Sequence, residues 1–422
     1  MLNGRGQKIL KTLGPGILFA STAIGVSHLV QSTRAGAMAG WGLTWVILLA
    51  NAAKYPFFEY GSRYAAATGT SLIDGYRKMG RGAAWAYLLI TVATCFFVLG
   101  AIGLVTASFL DNLLGVSAWT GGNATPAVAV AVVAGSAALL FWGAYRALDR
   151  LIKVIATVLV ISTVVAFIAA VLGPGAQWTR TASTSVDIWQ GAGLAFFIAL
   201  VGWMPSAIDL STWNSIWTLE RAAESGYRPS VRETLREFNF GYLISAVLAL
   251  AFLGLGAMLL HATDTELPSS PAAFAAAIVG LYTTALGPWS KVFVGAAAFS
   301  AMLGTIVACF DGYSRSLSAS IRSLNPLPAR RLNRILLVAL AAGALMLILM
   351  FPNDIRVLVD IATTLSFLIA PVVAAANFHL VTRNDFPEEA RPGRFLKGLS
   401  WLGLVFLIGF GGLFLYSWGA GA

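Results

Sequence analysis

The sequence predicts an all-α integral membrane protein of about eleven spans: two inverted five-span repeats, with spans 1 and 6 broken, plus an eleventh helix. Three observations predict it: apolarity along the whole chain, basic residues gathered in alternate loops, and two interrupted helices five spans apart. Of the 422 residues, 58% are hydrophobic and 11% charged, and the mean hydropathy is +0.78. Soluble domains carry about 25% charged residues. One globular core cannot cover so much apolar surface, so lipid must.

Each apolar run of about 20 residues is long enough to cross a bilayer. Such runs fall at 13–38, 41–63, 83–110, 124–145, 151–172, 189–217, 238–261, 288–314, 333–351, 355–381 and 396–418. They form a single transmembrane domain over 1–422, with repeat halves at 13–172 and 189–381. The polar, basic start from Met1 to Lys11 lacks a convincing cleavage site after it, so the first run reads as a retained helix.

Basic residues orient the set. Arg5, Lys8 and Lys11 precede span 1, and Arg63, Arg77, Lys78 and Arg81 follow span 2. Arg146, Arg150 and Lys153 follow span 4, and Arg221, Arg228, Arg232 and Arg236 follow span 6. Arg315, Arg322, Arg330, Arg331 and Arg334 follow span 8, and Arg383, Arg391, Arg394 and Lys397 follow span 10. The intervening loops carry Asp111, Asp264 and Glu266, with Arg180 and Arg356 as exceptions. Positive charge stays on the cytoplasmic side, which puts the N-terminus inside and the C-terminus outside a plasma (inner) membrane. The formal charge of +10 has the same origin. No basic stretch is interleaved with aromatics as single-strand binding requires, so nucleic acid is excluded as a partner.

Two spans have unusual middles. Gly14-Pro15-Gly16 opens span 1, and Gly25-Val26-Ser27-His28 follows near mid-membrane; Gly202-Trp203-Met204-Pro205-Ser206 interrupts span 6. Glycine weakens a helix, and proline removes a donor and clashes with the preceding turn. Two kinked helices would be ordinary, but their five-span separation points to repeats that meet at a midplane substrate site. Cys95 and Cys309 sit in apolar runs and read as small core residues. No protease or nucleophile–base motif accompanies the spans, so the chain does not read as an enzyme, and no cofactor is implied.

At these interruptions the sequence resembles the Nramp family of proton-coupled divalent metal transporters, which have the LeuT-type fold. The resemblance rests on Gly14-Pro15-Gly16, Ala35-Gly36-Ala37 and Met204-Pro205. It continues in Gly143-Ala144-Tyr145-Arg146 running into Leu151-Ile152-Lys153-Val154, and in Leu286-Gly287-Pro288-Trp289-Ser290-Lys291. The family's Asp-Pro-Gly-Asn motif, which binds metal, corresponds to Gly25, Val26, Ser27 and His28 here. Its Met-Pro-His-Asn becomes Met204-Pro205-Ser206-Ala207, and its span 3 proton-path acids fall at Thr94 and Phe97. One side-chain metal ligand of the family, the Met204 thioether, therefore remains.

The expected substrate site is Gly25, Ser27, His28, Met204, Ser206 and Asp209, with Met204, His28 and Asp209 as the rearranged metal set. A divalent cation needs compensating negative charge. Asp209 is the acid near the second break, but five residues from Met204 place it on another helix face unless the backbone unwinds. His28 reads equally as a functional ionisable group or as a neutral imidazole donating to a carbonyl freed by the break. Arg34 is expected to snorkel or to pair with an acid, and Asp360 to pair locally with Arg356. Lys54 and Glu59 are expected to meet structural partners near the cytoplasmic end. The resemblance implies a symporter moving a divalent metal by alternating access. The same scaffold carrying a small organic solute, or acting as a non-transporting sensor, is the alternative.

Overall fold

The computed structural model describes residues 14–143, 145–172, 187, 189–261, 268, 270–325, 327–352 and 354–419, with backbone alone at 145–153, 155, 156 and 330. Arg5, Lys8, Lys11, Arg180, Asp264 and Glu266 lie outside the described residues, as do the side chains of Arg146, Arg150, Lys153 and Arg330. The described chain is helical throughout, and its helices fall at the eleven expected places. Among the described residues, eight segments are long and apolar enough to cross a membrane, one of them, Ser27–Thr68, joining the second half of span 1 to span 2. Spans 5 and 6 contribute the shorter apolar helices Thr157–Leu172 and Gly191–Trp203.

Both expected breaks are present. Span 1 consists of Pro15–Ala23, a non-helical Ile24-Gly25 step, a π-helical turn over Ser27–Ser32 and the helix Thr33–Ala39. Span 6 consists of Gly191–Trp203, an unwound stretch through a cis Met204–Pro205 bond, and Leu210–Ser225. Both breaks sit between packed neighbours rather than in lipid, as the bilayer demands of unpaired backbone.

Glycines let the broken helices approach span 7 and span 10. A Cβ at Gly36 would overlap the Leu253 carbonyl, one at Gly256 the Thr33 carbonyl, and one at Gly241 the Gly16 carbonyl, so spans 1 and 7 cross backbone to backbone. A Cβ at Gly202 would overlap the Thr363 carbonyl of span 10. The Glu237 carboxylate of span 7 accepts from the Gly14, Gly16 and Ile17 amides at 2.8–3.3 Å, capping the first turn of span 1.

Among the further helices outside the expected spans, two matter for the fold. Leu72–Met79 is a short amphipathic helix with a Ser71/Asp74 capping box, after span 2. Pro271–Leu286 is apolar but has 16 residues, about 24 Å at 1.5 Å per residue. It falls short of a membrane core of about 30 Å and escapes a search by span length.

Candidate functional site

Where the two breaks meet lies a cavity of about 30 Å³, room for about two waters. Span 1 contributes Thr22, Val26 and Ser27 to its wall, and span 3 contributes Val98 and Ile102. Span 6 supplies Trp203, Ser206, Ala207, Leu210 and Trp213, and span 8 supplies Thr305, Cys309 and Tyr313. The span 8 residues recur every four positions, one stripe of a helix, as do the two of span 3.

Ser27 joins the breaks. Its hydroxyl lies 2.6 Å from the Ala23 carbonyl oxygen and 3.2 Å from that of Pro205. Trp203 is held by span 10, its indole N–H donating to Ser366 Oγ at 2.8 Å. Trp213 packs edge-on to Tyr313, ring centroids 4.6 Å apart. Its indole N–H is buried and has no hydrogen-bond partner among the described residues.

Of the six expected residues, Ser27 and Ser206 line this cavity. Gly25 stands beside it: a Cβ there would lie 2.8 Å from Thr305 Cγ2, so span 8 has closed over the position where the resemblance puts an Asp. His28 is fully buried and faces span 7. Its Nε2 lies 2.9 Å from the Ser245 carbonyl, to which it donates, and its Nδ1 lies 2.8 Å from the Ser27 hydroxyl. The imidazole thus donates to a carbonyl, though one belonging to span 7 rather than to the break.

Met204 is buried in the apolar core shared by spans 2, 6, 10 and 11. The unwound backbone carries Asp209 round to span 8, where its Oδ2 accepts from the Tyr313 hydroxyl at 3.1 Å. Its buried Oδ1 has no hydrogen-bond partner among the described residues. Met204, His28 and Asp209 therefore face three different ways, and none lines the cavity. Among the described residues, no group of three His, Cys, Asp or Glu side chains could hold a metal ion.

Two charged residues sit elsewhere than expected. Lys54 does not meet a partner at the cytoplasmic end as Glu59 does with Arg63. Its Nζ reaches the end of the first half of span 6, 2.8 Å from the Val201 and Gly202 carbonyls, 3.1 Å from Met204 O and 2.9 Å from Ser206 O. Asp360 pairs with Arg34 of span 1 rather than with Arg356 four residues away: Nη1–Oδ1 is 2.7 Å and Nη2–Oδ2 is 3.3 Å. Gln31 joins this pair, and the Arg34 guanidinium lies 5.0 Å from the Phe196 ring centre in span 6.

Solved transporters share this architecture. A histidine-to-alanine mutant of the Eremococcus coleocola manganese transporter aligns with a TM-score of 0.72 at 13% identity, covering 97% of this chain and 87% of that one. The same transporter in complex with an aromatic bis-isothiourea substituted compound gives 0.69, with the same identity and coverage. MhsT in complex with L-phenylalanine aligns at 0.64 with 14% identity, covering 95% and 98%. These likenesses establish the fold, a LeuT-type inverted repeat. An uncharacterized protein of Pasteurella multocida is 35% identical over 407 residues, 96% of this chain and 91% of that one. The family model described as natural resistance-associated macrophage protein-like matches residues 16–417, and the chain belongs to this Nramp family of membrane transporters.

Proposed function

We propose that this protein is a secondary transporter that moves a small organic solute bearing a hydrogen-bond acceptor, by alternating access through the cavity between the two breaks. One observation carries the reading: the cavity wall is aliphatic and aromatic, with the hydroxyls of Thr22, Ser27, Ser206, Thr305 and Tyr313 and the Cys309 thiol as its polar groups, and no carboxylate, imidazole or thioether. A divalent ion there would be desolvated without compensating charge, which costs many kcal/mol. An acceptor oxygen would instead satisfy Trp213, with Ser27 and Ser206 beside it.

In this reading the chain is one transporter domain in a plasma (inner) membrane, with a cytoplasmic N-terminus and an external C-terminus. The Arg34–Asp360 pair closes the external side across spans 1, 6 and 10. The cavity is tight, so the solute enters only when these spans part.

Transport of a divalent metal is the second reading. Family membership favours it, as do the neighbours named as manganese transporters. It requires Met204, His28 and Asp209 to turn toward one centre. Thermal-shift measurements on the purified protein against Mn²⁺ and a panel of amino acids and other small organic acids separate the two. Saturable stabilisation by an organic solute, weakened by Trp213→Phe, supports the first. Saturable stabilisation by Mn²⁺ that disappears in Met204→Ala supports the second and ends the first.

A further inference from the structure

The last carbonyls of a helix have no partner within it and carry the negative end of its dipole. At the break of span 6 such carbonyls converge with two from the unwound stretch. A small cation is the natural occupant. In this chain four of these oxygens lie 2.8–3.1 Å from one atom, Lys54 Nζ, and the side chain is fully buried. An ammonium has three N–H donors and a neutral amine two. Four carbonyl acceptors and no donor among these contacts are therefore the surroundings of an ammonium.

Asp209, the N-cap of the second half of span 6, ends the same unwound stretch and is buried like Lys54. No salt bridge joins the two, so the carbonyls are the direct ligands and the carboxylate balances charge at a distance.

We propose that the span 6 break is a cation site whose permanent occupant is the Lys54 ammonium, tethered through span 2 and balanced by Asp209. The break then needs no dissolved ion to hold its shape. Lys54 is a positioning residue: it fixes the unwound stretch that carries Ser206 and Ala207 into the cavity wall. The inference does not depend on which cargo the cavity takes.

The test is the thermal stability of the full-length protein in choline, Na⁺, K⁺ and n-propylammonium chloride at matched ionic strength, for wild type, Lys54→Ala and Lys54→Met. Choline is bulky and has no N–H, so it serves as the inert cation. The wild type should melt at the same temperature in all four salts. Lys54→Ala should melt about 5–10 °C lower in choline and recover at least half of that loss, saturably, with n-propylammonium or K⁺. Lys54→Met, which fills the stem's volume without charge, should be destabilised and should not recover.

Saturable stabilisation of the wild type by Na⁺ or K⁺ over choline would mean that a dissolved ion occupies the break, and would overturn the proposal. So would a Lys54→Met protein as stable as wild type, or a folded Lys54→Ala protein indifferent to every small cation. The wild-type comparison decides the matter even where Lys54→Ala does not fold.

Discussion

Breaking the Arg34–Asp360 pair should loosen the external closure proposed above, and the chain carries its own reporter for that event. Cys309 lies in the cavity wall with its side chain almost wholly buried, so a thiol reagent reaches it only when the cavity opens. The perturbation is Asp360→Asn, in a Cys95→Ala background that removes the other cysteine. Arg34 engages both carboxylate oxygens, a forked pair stronger than a single contact. Losing one partner of a fully buried pair costs about 3–5 kcal/mol. Here the Arg34 side chain is 12% exposed and that of Asp360 38%, so water re-solvates much of the lost charge. About 1–2 kcal/mol then remains, roughly a 5- to 30-fold rise in the open-to-closed ratio. The assay is the rate of Cys309 modification by a small, membrane-impermeant methanethiosulfonate added outside proteoliposomes. The rate should rise by that factor in Asp360→Asn and in Arg34→Gln. Equal rates in variants as stable as the parent would refute the pair as a closure.

Three further substitutions test the packing around the breaks. Gly202→Ala should cost about 3 kcal/mol or more in stability, because its Cβ meets the Thr363 backbone rather than a movable side chain; a melting temperature within 1–2 °C of wild type, on the order of 1 kcal/mol, would contradict the close crossing of spans 6 and 10. Glu237→Gln removes the charge that caps three amides of span 1, and should cost about 1–2 kcal/mol by thermal unfolding. His28→Gln should lower the melting temperature yet leave the midpoint of solute binding unchanged, since the imidazole is bonded to span 7; a large loss of affinity in a folded variant would return His28 to the binding site.

Much of this fold is legible in the sequence because lipid enforces simple rules: apolar runs of fixed length, paired backbone, and positive loops on one side. The glycines that carry the family resemblance also have a visible physical task, Gly16 and Gly36 lying against span 7. The site is less legible. Ser27 and Ser206 fall where the breaks predict, but which way Met204, His28 and Asp209 turn depends on how far the backbone unwinds, and sequence spacing does not encode that.

Local rules also mispaired the charges. Arg356 is one helical turn from Asp360, yet the guanidinium that reaches the carboxylate is Arg34, from the other broken span. Lys54 gives no hint of its role, because its ligands are backbone atoms some 150 positions away and a carbonyl cage has no residue signature. The stripe of Thr305, Cys309 and Tyr313 at four-residue spacing in span 8 was a readable sign of a cavity-facing helix surface.

The central claim is that the junction of the breaks is a neutral, acceptor-seeking cavity beside a break already filled by an internal cation. Uptake of radioactive Mn²⁺ into proteoliposomes of the wild-type protein, under an imposed inward proton gradient and against protein-free vesicles, tests it most directly. The account predicts uptake no greater than in protein-free vesicles. Saturable, gradient-driven Mn²⁺ uptake that falls in Met204→Ala would contradict it and restore divalent metal as the cargo.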